Sequence, residues 1–210
     1  MTEYDATRRY ADEAIAEPDT IARARAHALE IGADPISAAV GAQIAVLTAA
    51  SRALNIVEIG TGGGVSGLWL LRGSPRATLT TIDKEPEHLA VARSAFADAR
   101  VPAARARFIT GRATDVLPRM NEASYDIVLV DADPEGVIEY VEHGLRLVRP
   151  GGTVLIPRVL ADGGVADPVR RDAMTVAYRT LIHETQNSPA VLGALSIVGE
   201  GLLQVTTTVL

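Results

Sequence analysis

The chain has 210 residues, of which 48% are hydrophobic and 22% charged, with no cysteine and a formal net charge of −6. This length holds one well-buried α/β domain with an appendage and excludes two full enzyme domains. The absence of cysteine excludes disulfides, thiolate metal sites and a cysteine nucleophile. We expect a cytoplasmic protein, since no apolar run reaches the roughly 18 residues of a membrane span and the first residues do not resemble a signal peptide. The negative charge disfavours a nucleic-acid partner, because phosphate backbones require a basic surface.

The first 51 residues are predicted to form a helical extension of a single domain that covers residues 1–210. Segments 3–16 and 19–31 are rich in Ala, Glu and Arg, and Pro18 and Asp19 between them act as stop and start signals. Segment 36–51 is apolar with a helical period. Residues 52–210 then form the α/β core.

Short apolar runs alternate with helical segments through most of this core. The predicted strands are 53–59, 77–82, 105–110, 125–130 and 153–156, and the predicted helices are 65–71, 86–98, 113–120, 136–148 and 168–184. Residues 150–152, Pro-Gly-Gly, are predicted to form a turn. Two further strand-like runs, 191–198 and 202–209, are joined by Gly199-Glu200-Gly201, which is a hairpin signal. The pattern predicts a Rossmann-like, doubly wound α/β sheet of seven strands, mostly parallel, with one antiparallel strand from the hairpin.

A glycine-rich loop follows the first predicted strand. Residues 58–66 read Glu-Ile-Gly-Thr-Gly-Gly-Gly-Val-Ser, a loop in which a ligand can approach the backbone because no Cβ blocks it. Gly62, Gly64 and Gly67 also satisfy the dinucleotide-binding pattern, which alone is weak evidence. Glu58 favours a cationic ligand such as S-adenosylmethionine over a pyrophosphate. Asp83, at the end of the next strand, can accept hydrogen bonds from the ribose hydroxyls of S-adenosylmethionine or of a dinucleotide. The alternative interpretation of Glu58 and Asp83 is that both are surface charges at strand ends.

These two stretches, residues 58–66 and 81–83, resemble the first two motifs of class I S-adenosylmethionine-dependent methyltransferases. Three more resemble the catechol and caffeoyl-coenzyme A O-methyltransferases: residues 111–117, the Val-Asp-Ala-Asp of 130–133, and the Arg-Pro-Gly-Gly of 149–152. The resemblance covers roughly residues 30–210. It implies that the closing hairpin completes the sheet, and that the N-terminal extension caps the acceptor pocket and meets a second subunit in a homodimer.

The resemblance also implies a set of cofactor contacts. It assigns the methionine end of S-adenosylmethionine to the loop that begins at Glu58, the ribose to Asp83, the adenine to the segment after residue 112 and the reacting methyl group to the Val-Asp-Ala-Asp motif. The residues so implied are Ile36 (through its backbone), Glu58, Gly60, Thr61, Gly62, Ser66, Asp83, Ala113, Thr114, Asp131 and Asp133.

Two departures from the resembled family concern catalysis. The relatives place Lys after Asp-Ala-Asp, where this chain has Pro134, and an Asp-Asn pair after the fifth strand, where it has Pro157 and Arg158. Of the expected ligands of a divalent cation only Asp131 remains, and Mg²⁺ requires near-octahedral oxygen ligation. We therefore predict no metal, with Asp131 and Arg158 as catalytic residues, because an arginine can hold an oxyanion bidentately. The alternative is a site rebuilt from Asp133 and Asp162.

The sequence as a whole predicts an S-adenosylmethionine-dependent O-methyltransferase that acts on a small hydroxylated molecule. Three different functions stay open: a cofactor-binding protein that has lost catalysis, an RNA methyltransferase and a nicotinamide oxidoreductase. His143, His183 and Tyr178 are further candidates for acid–base groups, and for each the sequence favours a structural or surface role.

Overall fold

A computed structural model describes residues 3–208, apart from the side chains of residues 3–5 and 8. The strands are β1 (Asn55–Ile59), β2 (Thr78–Asp83), β3 (Ala106–Thr110), β4 (Tyr125–Val130), β5 (Val148–Pro157), β6 (Val191–Ser196) and β7 (Leu202–Thr207). The helices are α1 (Glu3–Glu13), α2 (Asp19–Glu30), α3 (Ala38–Ala50), α4 (Val65–Gly73), α5 (Pro86–Asp98), α6 (Ala113–Val116), α7 (Val137–Leu147) and α8 (Ala173–Asn187). Short 3₁₀ turns lie at Ala103–Arg105, Leu117–Arg119, Pro134–Gly136 and Ala161–Ala166.

The strands form one seven-stranded sheet in the order β3-β2-β1-β4-β5-β7-β6. Strands β1 to β5 pair in parallel, and β7 is antiparallel to both of its neighbours, β5 and β6. The predicted sheet, with a single reversed strand from the C-terminal hairpin, is therefore confirmed. The strand order reverses direction between β1 and β4, and ligands of open α/β sheets bind outside the carboxyl ends of the strands at such a point.

Helices cover both faces of the sheet, because successive side chains of a buried parallel strand point to opposite faces. On one face Ile56 and Leu79 belong to an apolar cluster with residues of α2 to α5. On the other face Val57 and Ile82 belong to a cluster with residues of α7 and α8. Within residues 3–208 no helix is long and apolar enough to cross a membrane.

The N-terminal extension is part of the core. Ile21, Ala28 and Ile44, from α2 and α3, are almost fully buried in the first cluster. Helix α3 lies close to α4, because Gly41 has no side chain: a Cβ there would lie 2.2 Å from Nε1 of Trp69. The extension before residue 52 and the α/β core after it therefore share one hydrophobic cluster. Residues 1–2 and 209–210 lie outside the described part.

Several predicted boundaries are wrong. The helix placed at 168–184 begins at Ala173, because the carboxylate of Asp172 accepts a hydrogen bond from Thr175 N at 2.9 Å and so caps the helix there. The turn at 150–152 lies inside β5. Its register against β4 shifts between Tyr125 and Ile127, and Gly151 there has φ +77°. The first helix ends at Glu13 rather than at residue 16.

Candidate active site

A cavity of about 590 Å³ lies at the carboxyl ends of β1, β2 and β4. The register aligns Ile59 with Ile82 on one side and with Val130 on the other, so Gly60, Asp83 and Asp131 follow at the same edge of the sheet. The glycine loop after β1 forms one wall and the segment 111–113 another. Residues 32–35, between α2 and α3, border the cavity as well. Its volume is typical of a site for a small molecule or cofactor.

The glycine loop is held against its neighbours by its backbone. Gly60 has φ +93°, and a Cβ added there would lie 1.9 Å from the carbonyl oxygen of Asp131, so only glycine fits between the two strand ends. The amides of Thr61 and Gly62 both donate to Oδ2 of Asp83, at 3.0 and 2.9 Å. The end of β2 therefore sets the conformation of the loop after β1.

Asp83 retains hydrogen-bonding capacity toward the cavity that it borders. Its Oδ1 accepts from Glu85 N at 2.9 Å, and Nδ1 of His88 lies 3.2 Å from Oδ2. A carboxylate offers about four lone-pair positions, so Oδ1 has one left. This is consistent with the predicted contact to a ribose hydroxyl.

Glu58 is fully buried behind the glycine loop and does not border the cavity. Its carboxylate accepts hydrogen bonds from Ser66 Oγ at 2.7 Å and from Thr81 Oγ1 at 2.6 Å, and the hydroxyl of Thr61 lies 2.5 Å from that of Thr81. Burial raises the pKa of Glu58 to about 8, against the effect of the two hydroxyl donors. Glu58 thus connects the end of β1 with β2 and with the start of α4, and Thr81 in turn contacts the loop through Thr61.

Asp131, after β4, and Arg158, after β5, form an ion pair at one end of the cavity. Arg158 has φ +62° and also donates through Nη2 to the carbonyl oxygen of Asp34. Its Nε lies 3.6 Å from the Asp34 carboxylate and 4.0 Å from that of Glu200. Burial raises the pKa of Asp131 to about 6, although the guanidinium of Arg158 acts in the opposite direction. One arginine therefore serves three carboxylates.

Asp133 is held by the segment that follows it. Its Oδ1 accepts from Gly136 N at 3.2 Å and its Oδ2 from the hydroxyl of Tyr140 at 3.1 Å. Burial, followed by the adjacent Asp133 carboxylate, raises the pKa of Tyr140 to about 12, so the phenol stays a donor at neutral pH.

The cavity is acidic. The carboxylates on its border are Asp34, Asp83, Glu85, Asp131, Asp133 and Glu135, whereas among the described residues that line it only Lys84 and Arg112 are lysine or arginine. Such a lining attracts a sulfonium or ammonium group and repels a pyrophosphate.

The described residues do not fit the divalent cation of the resembled family. No group of three or more His, Cys, Asp or Glu side chains within residues 3–208 is arranged to hold a metal ion. Asp131 is paired with Arg158, and Asp133 accepts from Gly136 N and the hydroxyl of Tyr140. Asp162 is exposed.

Most of the residues predicted from the sequence meet at this cavity. Those that line it are Gly60, Thr61, Gly62, Ser66, Asp83, Ala113, Asp131 and Asp133, and those that do not are Ile36, Glu58, Thr114 and Arg158. Ile36 is buried next to the bordering Pro35, and Thr114 follows the bordering Ala113. His143, His183 and Tyr178, the other acid–base candidates from the sequence, do not line the cavity either.

The sequence interpretation missed Asp34, Thr81, His88 and Tyr140. Thr81 had a local signal, since a threonine next to Ile82 in a buried strand faces the interior beside Glu58 on the neighbouring strand. His88 also had one, because it lies in the first turn of α5, shortly after Asp83 at the end of β2. Asp34 and Tyr140 reach the site only through the tertiary fold.

Glu58 leads to a prediction about stability and pH. Its pKa is about 8 in the folded chain and about 4.3 in an unfolded one, so the folded state binds more protons between these values. Stability should therefore fall as the pH rises from about 5 to 8, by up to ~1.4 kcal/mol per pH unit from this residue. Glu58→Gln should flatten the pH dependence of the free energy of unfolding, measured by urea denaturation.

The matched control for this prediction is Glu122→Gln. Glu122 pairs with Arg146 at the surface, where its side chain is 70% exposed, so the wild-type slope should be retained. Equal slopes for wild type and Glu58→Gln would show that Glu58 is ionised throughout this range.

Comparison with known proteins places these features in a family. A family model described as O-methyltransferase matches residues 17–207. A probable O-methyltransferase of Mycobacterium tuberculosis is 44% identical over 195 residues, which cover 92% of this chain and 87% of the relative. A relative from Mycobacterium avium, also named as an O-methyltransferase, is 45% identical over 195 residues, which cover 92% of this chain and 88% of the relative.

Solved structures of similar fold include members of the same family. A protein of Corynebacterium glutamicum superposes with a TM-score of 0.90 at 29% identity, covering 100% of this chain and 99% of the other. The O-methyltransferase TomG of Streptomyces achromogenes, crystallised with S-adenosylmethionine, gives 0.86 at 28% identity with full coverage of both chains. An O-methyltransferase of Bacillus cereus, crystallised with S-adenosylhomocysteine, gives 0.85 at 26% identity with 97% of each chain covered. By its sequence and its fold alike, the chain belongs to the O-methyltransferase family.

Proposed function

We propose that this protein transfers the methyl group of S-adenosylmethionine to a hydroxyl of a small molecule without the help of a divalent cation. The observation that carries the proposal is the acidic cavity at which the Gly60–Gly62 loop, Asp83 and Asp131 meet. Family membership supports the reaction, and the relatives crystallised with S-adenosylmethionine or S-adenosylhomocysteine support the cofactor.

The residues around the cavity fit this cofactor at several points. Asp83 offers a lone pair on Oδ1 for the ribose, and the glycine loop leaves its backbone open to the methionine end. The excess of carboxylates suits a ligand with a sulfonium and an ammonium. It argues against a nicotinamide cofactor, because a dinucleotide carries a pyrophosphate. When bound, S-adenosylmethionine supplies an electrophilic methyl carbon on a sulphur that leaves as a neutral thioether.

Asp131 and Arg158 are proposed to act on the acceptor. Asp131 accepts the proton of the acceptor hydroxyl, and the oxygen forms a bond to the methyl carbon while the carbon–sulphur bond breaks and its electron pair remains on sulphur. With a pKa of about 6, Asp131 is mostly ionised at neutral pH and is a stronger base than an ordinary aspartate. Arg158 orients this carboxylate and supplies the positive charge that a cation provides elsewhere.

An RNA substrate has less support than a small molecule. It would require a basic surface around the site, and the cavity border is acidic. A protein that binds the cofactor but has lost catalysis is distinguished from an enzyme by the activity assay described below. A cytoplasmic location stays a prediction from the sequence.

We also propose a homodimer that pairs through the edge strand β6. Leu192, Leu195 and Ile197 are exposed along this edge, and residues 190–198 carry no charge. Exposed Val46 on α3 extends the patch, since Gln43 of the same helix bonds Ser196 at 3.2 Å. An uncharged edge can pair with its own copy without the repulsion that a net charge of −6 imposes elsewhere.

The first prediction from this function concerns the cofactor. Asp83→Ala removes hydrogen bonds to a charged acceptor, each of about 1.5–3 kcal/mol, so S-adenosylmethionine should bind at least about tenfold more weakly in titration calorimetry. Glu122→Ala, at an exposed surface pair, should bind like wild type. Unchanged affinity of Asp83→Ala, or tighter binding of NAD than of S-adenosylmethionine by the wild type, would contradict the assignment.

The second prediction concerns the metal and Arg158. Methyl transfer to small phenols, screened with radiolabelled S-adenosylmethionine, should resist EDTA. Arg158→Ala should lower turnover by about 10²-fold, the typical effect of one preorganised donor, and leave cofactor affinity nearly intact. Because Arg158 lowers the pKa of Asp131, the acidic limb of the pH–rate profile, near pH 6 in the wild type, should move to higher pH.

Arg158→Lys keeps the positive charge and is the matched variant. It should shift the acidic limb of the pH–rate profile less than Arg158→Ala does. Inactivation by EDTA that magnesium reverses would show that other carboxylates rebuild a cation site and that the role given to Arg158 is wrong.

The third prediction concerns assembly. Sedimentation at micromolar concentration should give twice the 22.1 kDa of one chain. Leu195→Lys places a charge in the proposed pairing edge and should yield monomers, whereas Val169→Lys, at an exposed valine outside that edge, should not. A wild-type monomer, or equal effects of both variants, would count against pairing through β6.

A further inference from the structure

Asp34 lies in the segment between α2 and α3 and borders the active-site cavity with an open side chain. That side chain is 85% exposed. The backbone beneath it is held, because Nη2 of Arg158 donates to the carbonyl oxygen of Asp34. The Asp34 carboxylate lies 3.6 Å from Nε of the same arginine, which is too far for a hydrogen bond. Asp34 therefore offers a carboxylate, on an anchored backbone, to a molecule that enters the cavity.

The same arginine places Asp34 beside the proposed catalytic base. Nη1 of Arg158 donates to Asp131, which also borders the cavity, so a single guanidinium separates the two carboxylates. Burial is the largest cause of the raised pKa of Asp131, and the nearby Asp34 carboxylate raises it further. A molecule whose hydroxyl reaches Asp131 therefore has its neighbouring groups close to Asp34.

The charge around the cavity stays negative when the cofactor is bound. Six carboxylates border it, and among the described residues that line it only Lys84 and Arg112 are lysine or arginine. With His88 counted as neutral, Arg158 and the sulfonium of S-adenosylmethionine bring the positive charges to four, since the ammonium and carboxylate of the methionine end cancel. The remaining negative charge attracts an acceptor with a positive group and repels one with a carboxylate.

We propose that Asp34 binds an ammonium group of the acceptor and so selects hydroxylated amines as substrates. This assignment rests on the proposed function and names the class of acceptor. The hydroxyl is held at Asp131 and the ammonium at Asp34, and the guanidinium of Arg158 sets the spacing between them. The ammonium keeps its protons and takes no part in the transfer, whose bonds are those of the reaction described above.

The hydrogen-bonding groups at this end of the cavity suit an ammonium better than an anion. A hydrogen bond from an ammonium to a carboxylate is stronger than one between neutral groups. An acceptor with a carboxylate would instead place its charge against Asp34 and Asp131. Both terminal nitrogens of Arg158 already donate, to Asp131 and to the carbonyl of Asp34, so an anion would have to compete with these bonds.

The test uses three phenols that differ in the charge of one substituent: 3-hydroxybenzylamine, 3-ethylphenol and 3-hydroxyphenylacetate. Each is titrated into protein loaded with S-adenosylhomocysteine, and its methylation by S-adenosylmethionine is measured in parallel. Asp34→Asn removes the charge and keeps the carbonyl that Arg158 contacts. The matched control is Glu30→Gln, because Glu30 ends α2, is exposed and does not border the cavity.

The wild type should bind 3-hydroxybenzylamine at least about tenfold more tightly than 3-hydroxyphenylacetate, with 3-ethylphenol between them, and KM should follow the same order. Asp34→Asn should reduce this ratio of affinities by at least about fivefold. Its S-adenosylhomocysteine affinity should stay within about threefold of wild type, which also verifies folding. Glu30→Gln should retain the wild-type ratio. Because the preference is electrostatic, it should weaken as the salt concentration is raised.

Equal ratios in Asp34→Asn and wild type would overturn the proposal, and so would a wild type that prefers 3-hydroxyphenylacetate or binds none of the three phenols. A parallel loss of S-adenosylhomocysteine affinity in Asp34→Asn would overturn it as well, since Asp34 would then serve the methionine end of the cofactor. Failure of the wild type to bind S-adenosylhomocysteine refutes the proposed function itself and is seen before any variant is made.

Discussion

The ion pair of Asp131 and Arg158 is the interaction on which the arrangement of the acceptor end depends. A carboxylate taken out of water costs several kcal/mol unless a partner compensates it. The partner here also donates to the carbonyl of Asp34 and lies near the Glu200 carboxylate, so it connects the end of β4 with the N-terminal extension and the β6–β7 turn. Without the guanidinium, three carboxylates would repel one another at the edge of the cavity.

Glu58 shows what the same edge of the sheet does to a carboxylate whose partners are neutral. They are the hydroxyls of Ser66 and Thr81, and the pKa of Glu58 rises to about 8, whereas that of Asp131 reaches about 6 beside Arg158. The two environments separate the roles. One acid is best suited to tie the glycine loop to the strands in a neutral form, and the other is ionised and available as a base.

Much of this site could be predicted from the sequence, because its residues directly follow apolar runs that can be recognised locally as strands. The apolar runs mark the strands, the glycines mark the loop after β1, and Asp83 and Asp131 directly follow runs whose register the parallel sheet aligns. The departures at Pro134 and Arg158 could be read in the same way, since each occupies a position defined by a neighbouring motif.

The rest could not be predicted, because it depends on contacts between distant segments. Asp34 meets Arg158 across 124 residues of sequence. The start of α8 and the course of the chain at residues 150–152 differ from the prediction for a related reason. A side-chain cap and a shift in strand register override the local sequence pattern there.

Two arginines from different parts of the chain hold the segment between α2 and α3 at the border of the cavity. Arg158 donates to the carbonyl of Asp34, and Arg25, paired with Glu17 at 2.7 Å, donates to the adjacent carbonyl of Pro35 at 3.4 Å. A guanidinium can bond a carboxylate and a carbonyl at once in fixed directions. Arg158 in place of the family's Asp-Asn pair therefore does more than supply a charge beside Asp131. It also contacts the segment between α2 and α3, so the residue that is proposed to orient the base lies between that segment and the end of β4.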